Sequence, residues 1–160
     1  MEAILPDYRK PRTLIVTALF IAVVVAAGAV IGINATPDAW YQALAKPPFN
    51  PPNWLFAPVW FILYVFIAIA GARTFLRVPS GPAMGVWGAQ MLLNWAWSPV
   101  WFGLHQIWPA FAIIAAIFVL ICAFIALTWR GDRPSALLFV PYALWVGFAS
   151  CLNFAIGSLN

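Results

Sequence analysis

Three short groups of aromatic and amide side chains carry the chemistry-bearing pattern of the sequence. Gln90, Asn94, Trp97 and Trp101 follow one another at spacings of 4, 3 and 4, which places them on one face of a helix. Tyr142, Trp145, Ala149 and Asn153 share a second face, and Trp60 and Tyr64 pair at i, i+4 on a third segment. Indoles offer broad π faces and one N–H donor, whereas amides both donate and accept. Such a set suits a flat, largely apolar ligand held by stacking and a few hydrogen bonds. It does not suit hydrolysis or group transfer: no nucleophile is placed with a histidine base, and no glycine-rich phosphate loop occurs. His105 and the scattered acids Glu2, Asp7, Asp38 and Asp132 have no metal-ligand spacing, so no metal centre is expected. His105 is expected at a span end, in water.

The elements that position these groups follow from composition. Of the 160 residues, 65% are hydrophobic and only 8% charged, far from the balance of a soluble domain. One core could not hide so much apolar surface, so a single membrane domain over residues 1–160 is expected. A bilayer core of about 30 Å needs roughly 20 apolar residues per helix. Five such runs can be marked, at 14–33, 54–72, 82–104, 109–129 and 136–156. The fold class is therefore an all-α membrane protein, a five-transmembrane-helix bundle. The short connections after the second, third and fourth spans predict that consecutive helices pack as antiparallel neighbours. The spans contain no Asp, Glu, Lys or His, so the groups that mark proton relays and ion pathways are missing and a pump is not expected.

Charge reads as topology. Arg9, Lys10, Arg12, Arg73, Arg77, Arg130 and Arg133 fall on the N-terminal side of the predicted spans, and Lys46 alone falls opposite. In an inner membrane this bias puts the N-terminus on the cytoplasmic side. The net charge of +4 is thus no sign of nucleic-acid binding. The first apolar run is too long for a signal-peptide core and reads as an uncleaved span. Cys122 and Cys151 lie at depths differing by about 10 Å, which argues against a disulfide and predicts buried free thiols.

The loop 34–53 holds Pro37, Pro47, Pro48, Pro51 and Pro52 with Trp40 and Tyr41. Proline stiffens an ordered loop; the segment is either a lid or a connector with interfacial aromatics. Small residues four apart, Gly28 with Gly32 and Gly81 with Gly85 and Ala89, permit close helix approach inside the bundle or across a dimer. Internal packing is expected for the first pair. Pro58, Pro99 and Pro141 can each bend a span.

Measured from the loop side, Trp60 lies about 9 Å deep, Ala149 about 10 Å, and Asn94 and Trp145 about 15 Å. They share one half of the bilayer and can wall an aromatic cavity with an amide in it. The alternative is that Asn94 and Asn153 tie helices together while the tryptophans fill core or form an interfacial belt, as Trp54, Trp101, Trp108 and Trp129 near span ends can do.

Lys46-Pro47, Pro51-Pro52, Trp54, Phe56, Pro58-Val59-Trp60 and Leu63-Tyr64 resemble the signature of the TspO family of tryptophan-rich sensory proteins, which includes the mitochondrial translocator protein. Asn94-Trp95-Ala96-Trp97-Ser98-Pro99 with Phe102-Gly103 resembles its third helix; Pro141-Tyr142, Trp145, Phe148-Ala149 and Leu152-Asn153 resemble its fifth. The resemblance covers essentially the whole chain. It implies a five-helix bundle, often a homodimer, with a pocket under the first loop for porphyrin, haem and benzodiazepine-type ligands; the small residues Gly81, Gly85 and Ala89 offer a face for the dimer. No cofactor is implied as obligatory. Carried over, the binding residues are Trp40, Trp60, Asn94, Trp97, Tyr142, Trp145 and Ala149. Light- and oxygen-dependent breakdown of protoporphyrin is implied for bacterial members, with Trp60 and Trp145 as the catalytic candidates. The function implied is a tetrapyrrole-binding sensor or regulator; a porphyrin-degrading enzyme and a porphyrin or lipid transporter are the alternatives. Two positions depart from the pattern. Phe49 stands where many members carry tryptophan, and Phe154 replaces the tyrosine of the cholesterol motif with no basic residue following, so specific cholesterol binding is not expected.

Overall fold

The structure is a computed structural model and describes residue 6 and residues 8–160. Glu2 and Asp7, among the acids weighed above, lie outside the described residues. The chain is all-helical: α1 (Pro11–Asn34), α2 (Ala39–Ala43), α3 (Phe56–Arg77), α4 (Pro82–Ser98), α5 (Ile107–Thr128) and α6 (Arg133–Leu159), with no strand among the described residues. In lipid each backbone N–H and C=O needs a partner within its own segment, which leaves helices as the solution for apolar runs of this length.

Local signals set the ends. Proline opens α1, α4 and α6 in the first turn, where its missing N–H costs nothing. Arg77 closes α3, where a cation meets the partial negative end of the helix. Four segments, Pro11–Asn34, Asn53–Arg77, Ile107–Thr128 and Arg133–Leu159, are long and apolar enough to cross a membrane. The chain is a multi-pass membrane protein.

The expected single helix over 82–104 is interrupted. Regular α4 stops at Ser98 after 17 residues, and the chain continues as a wide π-helical turn, Pro99–Gly103. Pro99 has no N–H to extend the α-helical ladder and its ring crowds the preceding turn. The bonds shift register instead, with the Leu104 N–H donating to the Pro99 carbonyl at 2.9 Å and that of Gln106 to Val100 at 3.1 Å.

The helices form a ring in the order α1, α3, α6, α5, α4. Two of the three short connections join packed neighbours, α4 with α5 and α5 with α6. The third does not: α3 and α4 meet mainly near their connecting turn, where the Trp87 ring lies against Gly71 and its N–H donates to the Ile67 carbonyl at 2.9 Å. A tight turn fixes the ends it joins and nothing further along. Toward the loop 34–53, α3 and α4 separate, and the space between them becomes a cavity. The opposite half is filled by Ile67, Met91, Ile121, Phe124 and Phe139, with the last two rings stacked at 4.0 Å.

Gly28 packs internally as expected, since a Cβ there would fall within 2.3 Å of the Tyr64 ring. Gly32, its partner in sequence, faces open space. Gly85 likewise meets nothing within 4 Å, and it and Ala89 are exposed on the outside of α4. The cysteines correct the sequence reading: Cys122 and Cys151 are free but exposed on the outer surface. In a membrane bundle the exterior is as apolar as the interior, so burial cannot be inferred from a thiol's apolar surroundings in sequence.

Candidate functional site

The cavity holds about 530 Å³, within the range of small-molecule sites. Its wall draws on every long helix: Val25 and Gly28 from α1, Phe56, Trp60 and Tyr64 from α3, Asn94, Trp97 and Ser98 from α4, Ile114 and Ile117 from α5, and Trp145, Ala149 and Asn153 from α6. Trp101 and Phe102 of the π turn, with Pro37 and Tyr41 of the loop, close the top. Apolar surface dominates, and no charged side chain among the described residues lines it.

A chain of hydrogen bonds forms the polar floor. Tyr64 Oη donates to Asn94 Oδ1 at 3.0 Å, Asn94 Nδ2 donates to Tyr142 Oη at 2.8 Å, and Tyr142 Oη donates to Gln90 Oε1 at 3.0 Å. Gln90 passes its own amide to the Trp87 carbonyl at 3.0 Å. The chain ties α3, α4 and α6 together across the level at which α3 and α4 part. A second tie, Trp97 Nε1 to Asn153 Oδ1 at 3.3 Å, joins α4 to α6 nearer the loop. The two readings of the amides in sequence therefore converge: Asn94 and Asn153 hold helices together and also line the cavity.

Trp60 stands over Tyr64 at 5.4 Å and edge-on to Tyr142 at 6.2 Å. Trp145 packs edge-on to Phe56 at 5.7 Å, and its Nε1 is buried with no acceptor among the described residues. A buried indole N–H usually finds a partner; this one belongs to a side chain on the cavity wall. The structure thus brings Trp60, Asn94, Trp97, Trp145 and Ala149 to one cavity and puts Tyr142 directly behind Asn94.

Trp40 is placed elsewhere. Asp38 caps α2 by accepting the Tyr41 N–H at 3.0 Å, and the turn this sets buries Tyr41 against the cavity while Trp40 does not line it. Trp40 stacks on His105 at 4.4 Å and meets Trp101 edge-on at 5.9 Å. His105 is at a span end and exposed, as the sequence predicts, yet its Nε2 also pairs with Asp38 Oδ2 at 2.9 Å. It adopts φ 55°, the left-handed region uncommon for a side chain of this size. The Tyr41 N–H and then the His105 contact hold the Asp38 carboxyl below its ordinary pKa.

Two further ties hold the loop. Lys46 Nζ donates to the carbonyls of Tyr41 at 2.6 Å and Leu44 at 3.1 Å. Asn160 grips the Ala45 backbone at both ends, accepting its N–H at 2.9 Å and donating to its carbonyl at 3.1 Å. The loop is therefore ordered, and Pro37, Tyr41 and Asn53 from it border the cavity. Phe49 touches Phe148 at 6.4 Å and does not line the cavity, while Phe154 packs on Trp108 and Phe111 outside it.

The cavity also has a side mouth. α1 and α3 are in contact at Gly28 and Tyr64, and one turn further on Gly32 has no neighbour; Gly32, Ala57 and Phe61, all exposed, border the cavity there. No group of metal-binding residues occurs among the described residues.

The model of the TspO/MBR family matches residues 19–159. Protein CrtK of Rhodobacter capsulatus is 36% identical over 152 residues, covering 89% of this chain and 91% of that protein. The tryptophan-rich sensory protein of Cereibacter sphaeroides is 35% identical over 145 residues, covering 89% and 92%. The translocator protein of Ovis aries is 34% identical over 131 residues, covering 76% and 75%.

Proposed function

The chain belongs to the TspO/MBR family, and on that footing we propose that it is a membrane sensor or regulator that binds a tetrapyrrole in the lidded cavity. The observation that carries this reading is the cavity wall itself. Trp60, Trp97 and Trp145 offer flat apolar faces around about 530 Å³, with Asn94 as the polar handle. A macrocycle meets such a wall by stacking, and its ring nitrogens or rim oxygens can meet the Asn94 amide. The lining has no cation, so the carboxylates of a porphyrin would stay in water at the mouth, on the side where Lys46 lies. A benzodiazepine-type ligand uses the same stacking surface with less of it.

In this reading the π turn completes α4 as a fifth crossing, the basic end faces the cytoplasm, and the exposed Gly85 and Ala89 provide the homodimer contact. Trp60 and Trp145 both border the cavity, so a photoexcited ring bound there would find indole electron donors in contact. This favours light- and oxygen-dependent porphyrin degradation as a second reading.

The test is a protoporphyrin titration of the purified protein in detergent, followed by absorbance and Trp fluorescence in the dark and then under light. Saturable dark binding weakened by Trp60→Phe and by Trp145→Phe is the expected result. Saturable binding with an affinity unchanged in both variants would sink the proposed site. Loss of porphyrin absorbance under light at the same rate with denatured protein would remove the second reading.

A further inference from the structure

The end of the molecule opposite the lid holds a second charged constellation that the cavity does not use. Arg73 and Arg77, one turn apart at the end of α3, converge on Asp132 at the start of α6. Arg73 reaches Asp132 Oδ1 at 2.6 Å, whereas Arg77 stands 3.5 Å from Oδ2. The Asp132 side chain is 2% exposed and also accepts from Ser135 Oγ at 2.5 Å. Arg73 is further engaged by Ser135 at 3.3 Å and by Tyr8 at 3.4 Å. Burial alone would raise the Asp132 carboxyl, but the bonds from Arg73 and Ser135 hold it below its ordinary pKa, so it is ionised at neutral pH.

The charges do not balance. Among the described residues two guanidinium groups share one carboxylate, and the bonds favour Arg73. Among the described residues Arg77 has only the 3.5 Å contact with Asp132, too long for a strong charge-assisted bond, and its Nε is buried with no acceptor. A guanidinium carries five N–H donors; here the side chain is 90% removed from solvent, and its Nε has no acceptor among the described residues. Such a group calls for an external anion. The surroundings identify which kind. Arg130 and Arg133 are exposed on the adjoining turn, and the Arg133 guanidinium lies over the Trp129 ring at 5.2 Å. The last turns of α3 and α5 and the first turn of α6 expose Phe75, Leu127, Trp129 and Leu137 to the bilayer. Cationic groups sit immediately above an apolar, aromatic-edged surface, the arrangement that receives a headgroup and its acyl chains together.

We propose that Arg77, with Arg73 and the exposed Arg130 and Arg133, forms a binding site for the phosphodiester headgroup of an anionic phospholipid. The site is distinct from the cavity and does not depend on what the cavity binds. Asp132 sets its strength by neutralising one of the two buried guanidinium groups and holding both in place.

Reconstitution into nanodiscs of phosphatidylcholine alone or with phosphatidylglycerol tests this, read by native mass spectrometry of retained lipid and by the thermal midpoint. Wild type should retain phosphatidylglycerol preferentially and melt higher in its presence. Arg77→Gln should lower that retention about fivefold, the effect of one interfacial cation, while Lys10→Gln, an exposed cation at the same end, should lower it less. Asp132→Asn should lower the midpoint in phosphatidylcholine but raise phosphatidylglycerol retention, because it removes the competing charge. That opposite sign is one a purely structural ion pair would not give. Equal retention in wild type, Arg77→Gln and Asp132→Asn would overturn the proposal. So would an equal rise in midpoint when inorganic phosphate is added to phosphatidylcholine discs, since the ligand would then be free phosphate.

Discussion

The Asn94 amide donates to the Tyr142 hydroxyl at 2.8 Å at the level where α3 and α4 part. Because Asn94 simultaneously accepts from Tyr64, one amide satisfies two phenols from two helices. Asn94→Leu should orphan the Tyr64 donor, while Tyr142 keeps Gln90 as acceptor. The expected cost is about 1–3 kcal/mol, that of one unsatisfied buried donor. Tyr142→Phe should cost a similar amount by stranding Asn94 Nδ2 and Gln90 Oε1. Unfolding in detergent of both single variants and the double variant measures this. The double should cost clearly less than the sum, since the bond between the two is lost only once.

Gly28 and Gly32 differ by one turn and should differ in response. A methyl at Gly28 would enter the Tyr64 ring at 2.3 Å, while one at Gly32 would meet nothing within 4 Å. Gly28→Ala is expected to destabilise by about 1–3 kcal/mol, as overpacking does, and to shift Tyr64 away from Asn94. Gly32→Ala should leave the thermal midpoint unchanged. It narrows the side mouth, so stopped-flow measurement should show slower ligand entry.

Those two glycines also show how far sequence could reach. Helical periodicity was enough to put Trp60, Asn94, Trp97, Trp145 and Ala149 on inward faces, because the amides that share those faces would be costly in lipid. The same argument has no force for Cys122, Cys151 or Gly32, whose environments inside and outside the bundle are equally apolar. Trp40 and Tyr41 are adjacent, and only the five-residue α2, set by the Asp38 cap, decides that Tyr41 turns inward. The contacts of His105 with Asp38 and of Asn160 with Ala45 span 67 and 115 residues and leave no local trace. The ring order likewise escaped the rule that short turns join neighbours, because α1 stands beside both α3 and α4.

The lid should respond to acid through Asp38. Its pKa is lowered from 3.8 in the folded chain, by the Tyr41 N–H first and also by His105. A depressed carboxyl contributes its tether above its ordinary pKa and loses it as pH falls through the lowered value. Ligand release should therefore be independent of Asp38 between pH 7 and about pH 5 and accelerate below about pH 4, near ordinary carboxylate values. Asp38→Asn should remove the acid step. His105→Ala should move that step toward the ordinary carboxylate value and speed release about two- to fivefold, as loss of one hydrogen bond does.

Asn160 makes a different kind of tether, since it holds the backbone of Ala45 and involves no charge. Asn160→Ala should loosen the lid without altering the cavity floor. Hydrogen exchange of the 39–46 segment should rise, and release should become faster at every pH by a constant factor. A pH-dependent change would show instead that the two tethers act as one.

The chemistry of the lining separates metal-free from iron-bearing ring ligands. Haem proteins secure iron through histidine, cysteine, methionine or tyrosine. No histidine, cysteine or methionine lines the cavity; the one histidine is outside it, stacked on Trp40 and paired with Asp38. Of the two lining phenols, Tyr64 already donates its proton to Asn94, and detaching it would break the floor. Binding should therefore rest on the ring faces, which protoporphyrin and its iron complex share. Their affinities are expected to agree within about tenfold, equivalent to 1.4 kcal/mol. Ferric haem should show none of the absorption bands of nitrogen- or sulfur-ligated iron. His105→Ala should leave the haem spectrum unchanged, and a histidine-ligated spectrum lost in that variant would require the lid to open and deliver His105 into the cavity.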